Sequence, residues 1–150
     1  TGQAARRMIR AEVTDGLGRR QRSQALARWL ERQAPARARG TVVIALVTDR
    51  AMRRMNHEFR GMDYATDVLS FPSLAPGELG ELAIAEGVCR RQARAAGHAE
   101  TTERRILALH GLLHLMGYDH ETDDGEMRRV EERLRKRAGL SLGLIARATR

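Results

Sequence analysis

Thr41 to Thr48 reads Thr-Val-Val-Ile-Ala-Leu-Val-Thr, a β-branched and apolar run with no polar residue inside it. A strand with one solvated face alternates apolar and polar residues; a run that does not alternate is expected of a strand covered on both faces. This segment is therefore expected to be the central strand of a sheet with packing on each side. Met8 to Thr14 alternates weakly and ends at Asp15-Gly16, a strand and turn, while Thr66–Phe71 and Leu79–Ala85 read as two further strands separated by Pro72, Pro76 and Gly77. The intervening segments carry helical periodicity. Gln21–Gln33 places Ala25, Leu26, Trp29 and Leu30 at helical spacing and stops before Pro35. Asp49 is expected to cap a helix through Phe59, with Met52, Met55 and Phe59 on one stripe and Gly61 closing it. From Glu86 the pattern stays helical, with Val88 and Ala95 inward and a stop at Gly97. Thr101 or Thr102 is expected to cap an apolar helix that runs to about Met116 and ends at Gly117. Asp123 with Glu126 three residues on has the capping-box pattern for a last helix, with Met127, Val130 and Leu134 on one face before Gly139. Strands early and helices late predict an α+β fold: one domain over residues 1–150, a small mixed sheet of about four strands, and about five helices packed mainly on one side.

At 150 residues and 42% hydrophobic content, the chain can bury a sizeable core. No apolar run approaches the roughly 20 residues of a membrane helix, so no membrane association is expected. Neither is a signal peptide recognised, and with a single cysteine a reducing cytoplasm is the expected location. Cys89 reads as a small buried hydrophobe. The net charge is +8 and Lys136 is the only lysine. The basic excess is concentrated in residues 1–60, where guanidinium forks offer phosphate paired donors, so a polyanionic partner fits the charge.

Three of the five histidines fall in His110-Gly-Leu-Leu-His114-Leu-Met-Gly-Tyr-Asp-His120. Helical residues four apart have Cβ atoms about 5–6 Å apart, so His110 and His114 can aim at one ion. A glycine stop at Gly117 lets the chain turn so that His120 returns as a third ligand. Three imidazoles leave one position of a tetrahedral zinc site open, the arrangement of catalytic rather than structural sites. Zinc is the expected ion, with nickel an acceptable substitute as purified, since imidazole suits both. Zinc lowers the pKa of bound water to about 7, which points to hydrolysis. A zincin protease carries glutamate directly after its first histidine, where this chain has Gly111; the deaminase pairing of H-x-E with P-C-x-x-C is not met either, since a chain with one cysteine has no P-C-x-x-C.

The block HGLLHLMGYDH, with MNHEFRGMDYATDVLSFP upstream and the strand GELAIA, closely resembles the YbeY family of single-strand-specific metallo-endoribonucleases of bacterial ribosomal RNA maturation. The resemblance covers roughly residues 41–135 and implies His110, His114 and His120 as metal ligands and Arg60 as the functional arginine. Met55 stands where the family usually has leucine, and Glu81 where it often has aspartate. The implied partners are single-stranded or precursor ribosomal RNA and the small ribosomal subunit. An arginine fork beside a metal is suited to the charge on a phosphodiester's nonbridging oxygens, which fits Arg60. Arg50, Arg53 and Arg54 are candidate RNA-binding residues on the same helix.

Asp119 has two readings, a turn residue or a carboxylate that orients a ligand, both preferred to a general base. Thr66 and Asp67 are expected to start a strand, His57 and His98 to lie on the surface, and Tyr118 to pack or to stack on a base. Two other functions remain open at this point: a non-catalytic ribosome-assembly factor with a structural metal, and a divergent metalloprotease, which the missing glutamate disfavours.

Overall fold

The computed structural model describes residues 9–140. Their elements, in chain order, are β1 (Ile9–Asp15), α1 (Ala25–Gln33), β2 (Gly40–Val47), α2 (Asp49–Arg60), β3 (Val68–Pro72), β4 (Glu78–Ala85), α3 (Glu86–Ala96), α4 (Glu100–Leu115) and α5 (Glu126–Ala138). Met8 and the outer ends of the expected domain lie outside the described residues. The strands form one mixed sheet in the order β1-β2-β4-β3, with β2 parallel to both neighbours and β3 antiparallel to β4. The architecture is the expected α+β one, and the Thr41–Thr48 run is an interior strand.

The absence of alternation in β2 has the expected cause. Val42 and Ile44 point into the larger core, shared with Leu82 and Ile84 of β4 and with residues of α1, α4 and α5. Ala45 and Val47 point the other way, into a smaller cluster with Met52 of α2, Leu69, Ala83 and Ala85. Both faces are apolar, but they are filled differently: branched side chains under α4, mostly alanines on the opposite face.

Helix α4 is the centre of the larger core. Every residue from Ile106 to Leu113 is buried, including His110 and Gly111, as expected of a helix enclosed by neighbours all round. Burying a leucine fully stabilises by about 1.5–3 kcal/mol, and Leu107, Leu112 and Leu113 are all completely enclosed. The helix approaches the sheet closely at Gly111. A Cβ there would stand 2.8 Å from Leu82 Cδ2 and 3.2 Å from both Ser70 Oγ and Val68 Cγ2. Ser70 Oγ also donates to the Gly111 carbonyl at 3.0 Å, tying α4 to β3.

Several element boundaries differ from the sequence expectation, each for a tertiary reason. Helix α1 starts at Ala25 rather than Gln21. Gln21 N donates to Val13 O, and the Gln24 side chain both accepts from Val13 N and donates to Val13 O, so this segment extends the β1 edge. The cap of α2 is Thr48, whose hydroxyl accepts from Ala51 N, while Asp49 reaches across to accept from Val88 N and Arg91 in α3. Helix α4 starts at Glu100 behind an Ala99 cap with no side-chain bond, leaving Thr101 and Thr102 inside the first turn. In α3 Val88 packs against the smaller cluster as expected, but the buried residues are Cys89 and Ala93, and Ala95 is exposed. Asp123 does cap α5, but from outside: its carboxylate accepts from Met127 N and Gly125 N, and the helix proper starts at Glu126.

Candidate metal centre

The C-terminal half of α4 presents His110 and His114 one turn apart, with ring centroids 4.8 Å from each other. The helix ends at Leu115, and Gly117 at φ 98°, which side-chain-bearing residues rarely adopt, reverses the chain. Gly117 N then donates to His114 O and Tyr118 N to Leu113 O, holding the reversal against the helix end. The returning loop brings the His120 ring centroid to 6.2 Å from that of His110 and 6.1 Å from that of His114.

Zinc–nitrogen bonds of about 2.0–2.1 Å in tetrahedral geometry put imidazole centroids roughly 5 Å apart. The helical pair meets that spacing and His120 stands about 1 Å outside it. Accordingly, no group of three His, Cys, Asp or Glu among the described residues is already drawn up to hold a metal ion. His120 is exposed on its loop, so core packing does not hold its ring at this distance.

Hydrogen-bond chemistry decides which nitrogens are available. His114 Nδ1 is 3.0 Å from the Tyr118 carbonyl oxygen, which can only accept, so Nδ1 carries the proton and Nε2 retains its lone pair. Burial, followed by the neighbouring charge of His110, pushes the His114 pKa below 6.5 and keeps that ring neutral at neutral pH. His110 Nδ1 is 2.6 Å from Oε2 of Glu131, a carboxylate only 3% exposed on α5. Metal-binding histidines commonly donate their second nitrogen to a carboxylate or a carbonyl, and both partners are present here. The donor set therefore fits a zinc-type ion held through Nε2 atoms.

Glu131 was missed by the sequence reading, although it left a signal. It lies between Met127 and Leu134 on the buried stripe of α5, where a carboxylate needs a partner. Asp119 is the turn residue of its two readings: its carboxylate accepts from Glu121 N and its carbonyl from the amides of Thr122 and Asp123. His98 does not lie free on the surface; its Nε2 is 2.7 Å from Oε1 of the fully buried Glu103. The Tyr118 ring packs beneath the Arg37 guanidinium, 4.8 Å from its centroid.

Arg60 ends α2, and Gly61 in the left-handed region (φ 68°) turns the chain away behind it. With Thr66, Asp67, Tyr118 and the three histidines, Arg60 lines a cleft of about 550 Å³. It also borders a groove of about 960 Å³ across the alanine-rich sheet face, as does Arg54. Arg53 instead grips Asp63 through Nε at 2.7 Å and Nη2 at 3.0 Å. Arg50 is exposed in the first turn of α2. The structure thus brings Arg60 to the histidines, sets Arg54 on the adjoining groove, and pairs Arg53 with an acid. Thr66 and Asp67 precede β3 and line the cleft wall, with Asp67 accepting from Val68 N and Gln92 Nε2.

No described helix is long and apolar enough to cross a membrane. A sequence model of the family described as Endoribonuclease YbeY matches residues 10–139. A protein of Solibacter usitatus named Endoribonuclease YbeY is 50% identical over 127 residues, covering 84% of this chain and 86% of its own. One of the same name from Helicobacter pylori strain Shi470 is 46% identical over 110 residues, covering 72% and 79%. The solution structure of a Thermotoga maritima protein superposes with a TM-score of 0.58 at 27% identity, covering 88% of this chain and 90% of that one. Matched from end to end of its described fold by the family model and aligned with relatives over most of both lengths, the chain belongs to the endoribonuclease YbeY family.

Proposed function

We propose that this protein is a zinc-dependent endoribonuclease that hydrolyses single-stranded RNA, with ribosomal RNA precursors as substrates and the small ribosomal subunit as its cytoplasmic partner. The observation that supports it best is the pairing of both helical histidines at Nδ1, by Glu131 and by the Tyr118 carbonyl. This directs two Nε2 lone pairs to ligand duty in the cleft that Arg60 shares.

His110, His114 and His120 would hold the ion, which when bound supplies Lewis acidity and a lowered water pKa. Glu131 and the Tyr118 carbonyl fix the His110 and His114 ring orientations, so these two donors need little reorganisation on binding, while His120 closes in from its loop. Hydrolysis adds water across one P–O bond, and negative charge on the nonbridging oxygens must be stabilised on the way. Arg60 offers a bidentate fork for that charge, and it makes no ion pair among the described residues that would compete.

Removing one preorganised donor costs about 10²–10³-fold in rate. Arg60→Ala is therefore expected to lower saturated cleavage of unpaired RNA by that factor with metal content unchanged. Arg60→Lys is expected to recover only part, since ammonium lacks the fork. The decisive measurement is metal content together with RNA cleavage, with and without chelator, in the wild type and in His114→Ala. About one zinc per chain and cleavage lost on chelation are expected; full cleavage by a metal-free protein would refute the reading.

A further inference from the structure

We propose that the alanine-floored groove beside the histidine cleft is a nucleobase subsite, where an unpaired base of the RNA strand stacks on Phe59 while its flanking phosphates lie along Arg54 and Arg60. The inference rests on the endoribonuclease reading above.

The groove lies on the sheet face opposite α4. Its floor is Ala45, Ala83 and Leu69, and α2 forms one wall with Ala51, Met55 and Phe59. Small residues on a sheet face usually admit a close neighbour, yet about 960 Å³ here is left open, ample for a nucleotide. Both phenylalanines of the chain line this one groove. Phe59 is 66% exposed, and its ring is held at 4.7 Å and 65° by Phe71. An edge contact of this kind fixes a ring without covering both its faces. A rigid, exposed aromatic next to cations is the stacking platform of single-strand binding surfaces.

Charge complementarity and continuity favour an RNA base over another occupant. Among the described residues, neither Arg54 nor Arg60 has an ion-pair partner, in contrast to Arg53 beside Asp63. Arg60, Leu69, Ser70 and Pro72 line both the groove and the histidine cleft, so a strand leaving the histidines past Arg60 enters the groove directly. Glu58 and Glu81 also line it. Their carboxylates repel a phosphate from the interior and accept from the N–H groups of a base, which sorts the base inward and the phosphates to the arginine rim.

The test is equilibrium binding of zinc-loaded protein to a short, uncleavable 2′-O-methyl oligonucleotide, beside versions carrying an abasic residue at each position in turn. Loss of one base–aromatic stack is expected to weaken binding about tenfold to a hundredfold. Phe59→Ala should show that loss, Phe59→Tyr should restore affinity, and Leu74→Ser, fully exposed on the β3–β4 turn, should change nothing. At one position the abasic substitution should weaken the wild type by the same factor and leave Phe59→Ala unaffected. If Phe59→Ala binds as well as the wild type, or if abasic and Phe59 losses multiply at every position, the subsite is refuted while cleavage of natural RNA still upholds the enzymatic reading. If the wild type neither binds nor cuts unpaired RNA, the enzymatic reading falls and takes the subsite with it.

Discussion

Glu131→Gln tests whether the buried carboxylate on α5 sets the metal affinity of a histidine on α4. The substitution retains shape and an acceptor oxygen for His110 Nδ1 but removes the charge from a contact of 2.6 Å. A hydrogen bond to a charged group contributes about 1.5–3 kcal/mol net, a neutral one about 0.5–1.5 kcal/mol. The expected loss in ligand strength is thus about 1–1.5 kcal/mol, or roughly tenfold in zinc affinity. Solvent screening does not reduce it, because the two side chains are only 10% and 3% exposed. The range agrees with the 10–100-fold typical when the partner of a metal-binding histidine is altered. Competition with a chromophoric chelator reads the affinity directly. Glu132→Gln, which alters a surface pair with Arg128, is the control expected to match the wild type. Glu131→Ala should also lower the melting temperature of the metal-free protein, since it leaves a buried Nδ1 without its acceptor, at about 1–3 kcal/mol. Zinc affinity within twofold of the wild type in Glu131→Gln would refute the assignment.

The affinity of unpaired RNA should fall with salt by a slope of about −0.7 per phosphate neutralised, with Arg54→Ala and Arg60→Ala each removing about one such unit. Arg53→Ala should leave the slope nearly unchanged because Asp63 already holds that guanidinium; equal slopes for all three variants would contradict this sorting. Gly111→Ala gains about 1 kcal/mol in helix propensity and meets the fully buried Leu82 at 2.8 Å, where overpacking costs about 1–3 kcal/mol, so a lower melting temperature is expected and a higher one would refute the contact. For the metal-free protein, the unfolded chain protonates His114 near 6.5 while the folded ring resists protonation until lower pH, so His114 contributes a loss of stability as pH falls from 6.5 through the folded value. Thermal melts across that window should therefore decline less steeply in His114→Gln than in the wild type.

What could be read from the sequence was local. The unbroken Thr41–Thr48 run, the helical stripes, the glycine stops at Gly61 and Gly117, and the spacing of His110 and His114 each state their consequence within a few residues. What could not be read depends on a distant partner. Arg53 and Arg54 are adjacent and chemically identical, and only the return of the chain at Asp63 pairs one and leaves the other on the groove. The start of α1 and the cap of α2 differ from the sequence expectation because Gln24 and Asp49 direct their side chains to other elements, β1 and α3, so that α1 begins at Ala25 and Thr48 caps α2. Apolar content on both faces of β2 is visible in the sequence, but not that α2 covers the second face only in part and leaves a groove beside it, since alanine counts as apolar whether it meets a helix or a groove.

The missing glutamate after His110 and the buried glutamate beside it have one structural origin. Helix α4 rests on the sheet through Gly111, so a carboxylate at that position would be driven into Leu82, Ser70 and Val68. A zincin-type base therefore has no room in this packing, whatever substrate is offered. Yet His110 is itself buried by the same packing and its Nδ1 must be satisfied. The carboxylate consequently comes from another helix, 21 residues along the chain, and approaches Nδ1 rather than the reaction cleft. Close contact between α4 and the sheet thus leaves the Glu131 carboxylate behind His110 as its hydrogen-bond partner, while Arg60, delivered from α2, lines the histidine cleft together with Asp67, Asp119 and Glu121.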